Sequence, residues 1–73
     1  MEFENFGLNV AKARLKQGIS AYELSLRLGK DTSYVHKLEN GKINPSLKVM
    51  LEICTQLKIP ITDLFEDIIK EQP

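Results

Sequence analysis

Residues 32–37, reading TSYVHK, gather two hydroxyls, a phenol, an imidazole and an ammonium within six positions. Such groups donate and accept hydrogen bonds and reach anions. Bond-making chemistry asks for more. His36 is the only histidine and Cys54 the only cysteine. Neither has a second ligand at metal spacing, so no metal site is expected. Ser20, Ser25 and Ser46 lack a Ser-His-Asp arrangement or a glycine-rich phosphate loop, and read as capping and packing residues. The sequence offers no catalytic constellation, and no cofactor or small-molecule ligand is expected. What residues 32–37 suit is recognition, provided that they share one side of a helix.

Charge indicates where such recognition would lie. The chain of 73 residues has ten basic and ten acidic side chains, a net charge of zero. Their distribution is uneven: residues 1–7 carry −2, residues 8–48 carry +5 from eight bases against three acids, and residues 49–73 carry −3. Only the middle block favours a polyanion. A chain of this length makes one small domain, here 1–73 with its core at 6–69, with little volume to enclose a substrate. One cysteine forms no internal bridge, and the start MEFEN lacks the basic and apolar regions of a secretory signal. No apolar run approaches the ~20 residues that cross a bilayer. The expected setting is cytoplasmic, away from membranes.

Helical spacing recurs along the chain. Phe6, Leu8, Val10 and Ala13 mark a first helix over 5–17, stopped by Gly18. Ser20, three residues before Glu23, has the spacing of a capping box and opens a second helix over 21–28 that buries Leu24 and Leu28. Asp31 is placed as the N-cap of a third helix over 32–40, with Val35 and Leu38 inward and Gly41 as its stop. The segment NPS opens a fourth, with Asn44 or Ser46 as cap, whose apolar stripe is Leu47, Met50, Leu51, Cys54 and Leu57, with Ile53 beside it. Pro60 closes that helix. Thr62 is placed as the cap of a fifth, with Leu64, Phe65, Ile68 and Ile69 as its apolar positions. With Val35 and Leu38 inward, the third helix turns Thr32, Ser33, His36 and Lys37 outward, with Tyr34 at the flank. The pattern is all-helical.

Two short helices joined by a glycine-containing turn describe a helix-turn-helix. From residue 21 to 40 the chain resembles the helix-turn-helix of the phage repressor and Cro-like family, also called the Xre family. Leu24, Leu28, Val35 and Leu38 match its buried positions, Gly29 its turn glycine and Ser25 its small residue where the helices touch. GIS at 18–20, LENGKINPSL at 38–47, LEIC at 51–54 and ITDLF at 61–65 are similar to its other recurring segments, so the likeness runs from residue 10 to 65. It implies a compact five-helix, lambda-repressor-like domain whose second and third helices form the DNA-binding element. It also implies a transcriptional regulator of the stand-alone kind found among Cro proteins, restriction-modification controllers and antitoxins.

A B-form major groove about 12 Å wide admits one such helix, whose outward side chains meet base edges. Thr32, Ser33, His36 and Lys37 are therefore the base-reading candidates, Lys37 foremost. The resemblance assigns Asn40 and Lys42, with Tyr34, to the DNA backbone, and pairs Arg14 with Glu39 as a structural ion pair between the first and third helices. Departures from the family pattern weaken the expected affinity: Ala21 stands where glutamine is usual, Lys30 where a buried aliphatic is usual, and Asp31 where a neutral hydroxyl is common. One copy meets one half-site and few phosphates, so a homodimer on a palindromic operator is expected. Ile68 and Ile69, followed by the polar KEQP, are its interface candidates. The alternative is a protein-interaction module or antitoxin-like partner with weak DNA binding, favoured by Ala21, Asp31 and the neutral total.

Overall fold

The computed structural model describes residues 3–65. Four α-helices follow one another, α1 (Phe3–Lys16), α2 (Ala21–Arg27), α3 (Tyr34–Glu39) and α4 (Leu47–Leu57), and a 3-10 helix, Ile61–Phe65, completes the described residues. None of those residues is in a strand. α3 packs against α1 and α2, whereas α4 packs against α1, α2 and the 3-10 helix. Phe6 and Val10 of α1, Leu24 of α2, Val35 and Leu38 of α3, Ile53 and Leu57 of α4 and Leu64 meet in the core, each at most 1% exposed.

The helices stop in one manner. After α1, α2 and α3 a glycine takes the left-handed conformation, at φ 68° (Gly18), 70° (Gly29) and 71° (Gly41). The next N–H then bonds back across the last turn, as Ile19 does to the Arg14 carbonyl at 3.2 Å and Lys42 to the Lys37 carbonyl at 3.0 Å. Such a double closure satisfies carbonyls that the helix end would leave unpaired. α4 ends likewise at Lys58, φ 55°, a conformation that costs a residue with a Cβ more than it costs glycine.

Three expectations about the core and the last helix need correction. The fifth α-helix is a five-residue 3-10 helix among the described residues: it begins after Pro60, whose carbonyl accepts from the Asp63 N–H at 3.0 Å, and Thr62 lies inside it rather than at its cap. Ile68 and Ile69 lie outside the described residues. The buried face of α4 is also rotated from the expected stripe. Val49, Met50, Ile53, Cys54 and Leu57 are buried, while Leu47 and Leu51 are 63% and 48% exposed. Apolar residues surround most of this helix, so spacing alone did not select the face; contact with α1, α2 and the 3-10 helix did. Leu8 is likewise exposed on α1.

Polar contacts fix the ends of the core. Buried Asn9 donates from Nδ2 to the Leu64 carbonyl at 2.8 Å, and the Phe6 and Phe65 rings lie 5.2 Å apart. The Gln17 amide donates to the Leu57 carbonyl. Cys54 is buried as a small apolar group, and burial, aided by Asp63, pushes its thiol pKa up.

At Gly7 the backbones of α1 and α3 come close together. A Cβ there would meet the Leu38 and Glu39 carbonyl oxygens at 2.7 Å, inside any permitted contact. Backbone on both sides cannot rotate away, so Gly7→Ala forces α1 and α3 apart. The expected loss is about 1–3 kcal/mol, with melting lowered by about 4–8 °C for each kcal/mol, as read by circular dichroism.

Candidate nucleic-acid interface

α2 begins where Ser20 Oγ accepts from the Glu23 N–H at 3.0 Å. Only this half of the capping box forms, because the Glu23 carboxylate lies 3.2 Å from Arg27 one turn on. After Gly29 the chain makes a turn, and α3 starts later than expected. Thr32 and Ser33 belong to the turn, and Ser33 occupies the N-cap position without a side-chain cap bond. The contribution of Asp31 is its backbone carbonyl, which accepts from Tyr34 N–H at 3.0 Å.

The N-terminus of α3 is capped from a different helix. Ser25 of α2 is fully buried; its Oγ accepts from the Val35 N–H at 3.0 Å and donates to the Ala21 carbonyl at 2.8 Å. One hydroxyl thus satisfies a free amide of α3 and fastens α3 to α2. The resemblance marked Ser25 as small, and nothing in its local sequence announced the bond ten residues away.

With Val35 and Leu38 inward, Thr32, Ser33, His36 and Lys37 are all exposed. Tyr34 is half-buried at the flank, and burial, then the nearby Glu52 charge, raise its phenol pKa. Lys30 is exposed, and its ammonium lies 5.4 Å from the centre of the Tyr34 ring. At the other end of α3, exposed Asn40 donates from Nδ2 to the His36 carbonyl at 2.7 Å, and Lys42 projects beyond Gly41. The four base-reading candidates therefore occupy the turn and the outward side of α3, with Asn40 and Lys42 just past its end.

Behind that surface Arg14 and Glu39 meet with both forks engaged. Nε donates to Oε2 at 2.8 Å and a terminal nitrogen to Oε1 at 3.0 Å; the side chains are 12% and 11% exposed. The remaining terminal nitrogen donates to the Ile19 carbonyl at 2.9 Å, a contact absent from the sequence reading. The hydrogen bond to Glu39 raises the Arg14 pKa, against the opposing effect of burial. This guanidinium faces inward and is unavailable to a polyanion.

The arrangement matches known proteins. The family model described as Helix-turn-helix covers residues 10–64. Control protein C.MunI of a Mycoplasma species is 36% identical over 67 residues, 90% of this chain and 90% of that one. The crystal structure of the restriction-modification controller protein C.AhdI from Aeromonas hydrophila superposes with a TM-score of 0.80 at 35% identity, over 86% of this chain and 96% of that one. The clp gene regulator ClgR from Corynebacterium glutamicum gives a TM-score of 0.87 at 20% identity, over 96% and 74%, a likeness of fold alone. The chain belongs to the helix-turn-helix family of DNA-binding transcriptional regulators, of the phage repressor and Cro-like type.

Two substitutions separate the supports of α3. Ser25→Ala leaves the buried Val35 N–H unpaired and is expected to cost about 1–3 kcal/mol. Glu39→Ala strands the Arg14 guanidinium at an expected cost of about 3 kcal/mol, and exchanging both partners for fitted apolar groups should recover much of it. Urea unfolding of the three variants checks both expectations; a Glu39→Ala midpoint equal to wild type would show that the pair contributes nothing.

Proposed function

We propose that the chain is a controller-type transcriptional regulator that binds a palindromic operator as a homodimer and reads it with the turn and outward side of α3. The observation that carries this reading is the division of α3, with Val35 and Leu38 buried and Thr32, Ser33, His36 and Lys37 all presented outward. The likeness to two control proteins at 36% and 35% identity supports a controller of a restriction-modification system, acting as repressor or autoregulator. In this reading Lys37 donates to guanine O6 and N7, Thr32, Ser33 and His36 contact neighbouring base edges, and Tyr34, Asn40 and Lys42 hold phosphates.

A DNA-binding role makes affinity fall steeply with salt, because each neutralised phosphate releases counterions. Binding to duplex DNA at ~50 mM and ~200 mM salt separates this role from that of a protein-interaction module, for which salt-independent absence of binding is expected. Selection from a random duplex pool then supplies the operator.

On that operator Lys37→Ala should cost about 1–3 kcal/mol and relax preference at one base pair. Lys42→Ala should weaken all sequences alike and lower the salt slope by about one. Titrations on operator and scrambled duplexes check both, and equal losses on the two DNAs would reassign Lys37 to a phosphate.

A further inference from the structure

At about 3.6 residues per turn, Gly7 and Arg14 share one face of α1, and Asn9, Lys12 and Lys16 share the opposite one. The first face holds α3. The second walls a cavity of about 230 Å³, completed by Ile59 and by Asp63 of the 3-10 helix. None of the residues that line it belongs to α2 or α3.

The wall is divided by charge. Lys12 and Lys16 stand one turn apart, both exposed, and neither forms an ion pair among the described residues. Like charges at this spacing are unfavourable to each other, so an anionic group between them relieves both. Exposed Asp63 forms no ion pair among the described residues either. Buried Asn9 and exposed Gln17 donate from their amide nitrogens to the Leu64 and Leu57 carbonyls, which leaves their side-chain oxygens as unengaged acceptors among the described residues. Half-buried Ala13 and Ile59 supply the apolar part of the wall.

A bare anion gains from the lysines but meets Asp63, and a bare cation gains from Asp63 but meets the lysines. A small zwitterion gains from both. We propose that this cavity binds a small α-amino acid, with its carboxylate between Lys12 and Lys16 and its ammonium toward Asp63 and the amide oxygens. The cavity is smaller than the ~300–1,000 Å³ of pockets for drug-sized ligands, and its apolar wall admits a short apolar side chain. A ligand there ties α1 to the segment after α4 without entering the DNA-facing surface, so the site stands independently of the operator reading. No spacing along the chain announces it, because Asp63 joins the two lysines only in the fold.

NMR titration of the full, isotope-labelled chain tests the site with three probes of similar size. L-alanine carries both charges, propionate only the carboxylate and ethylammonium only the ammonium. L-alanine should give saturable amide shifts at Asn9, Lys12, Lys16 and Asp63 with Kd on the order of 1 mM, and each single-charge probe should bind about tenfold more weakly or worse. Asp63→Asn, checked for folding by circular dichroism, should weaken L-alanine about tenfold while leaving propionate no weaker. Lys12→Gln, at an exposed position with no structural bond, should weaken L-alanine and propionate alike. Absence of saturable shifts at millimolar L-alanine overturns the proposal, as does propionate binding as tightly as L-alanine. A folded Asp63→Asn or Lys12→Gln variant that keeps wild-type affinity for L-alanine overturns it equally.

Discussion

The placement of α3 against α1 is the constraint on which the structure depends. Gly7 lets the two backbones approach to a distance that no side chain would permit, and the Arg14–Glu39 pair then closes over the same crossing. The two features are interdependent. Without the close approach, the guanidinium could not reach both carboxylate oxygens and the Ile19 carbonyl together. Without the carboxylate, a mostly buried cation would stand beside the core. Salt bridges under partial cover are weak evidence for stability in general. Here the third hydrogen bond ties in the link between α1 and α2, so one side chain sets the relative positions of three helices.

Neither α2, with seven residues, nor α3, with six, would hold a helix alone. Their order comes from caps at their ends and from packing on the rest of the domain. Ser20 and Ser25 satisfy amides at the two N-termini, glycines close the C-termini, and fully buried Leu24, Val35 and Leu38 anchor the pair to the core. The recognition unit is therefore only as rigid as α1 and α4 make it. The neutral total charge fits this division, because the positive excess of residues 8–48 is offset by acids in other parts of the chain.

Local signals in the sequence carried most of the fold. Gly18 and Gly41 marked helix ends because a left-handed residue is needed there, and Ser20 and Ser46 marked starts because their hydroxyls cap the amide three residues on. The errors arose where local signals ran out. Leu47 and Leu51 have the same chemistry as Ile53 and Leu57, and only the positions of α1, α2 and the 3-10 helix decide which are covered. Asp31 had the right residue type for a cap, yet the amide in need was met by Ser25 from another helix. That bond, the Gly7 crossing and the Arg14 contact to Ile19 each join residues whose relation exists only in three dimensions. The facing of Glu39 toward Arg14 was legible through resemblance to a family, since no spacing rule connects positions 14 and 39. For the candidate recognition surface, Val35 and Leu38 fixed the direction in which His36 and Lys37 point, while Thr32 and Ser33 are turn residues.

Because Ser25 caps α3 from behind, the outward surface of that helix has few structural duties. Ser33 makes no cap bond with its side chain, and Thr32, His36 and Lys37 lie in solvent, where substitutions commonly change stability by less than about 0.5 kcal/mol. Folding and the proposed recognition are thus written in separate sets of residues. Descendants of this sequence can explore new operator preferences without approaching the threshold at which the domain unfolds. The buried hydroxyl of Ser25 is part of what provides that freedom.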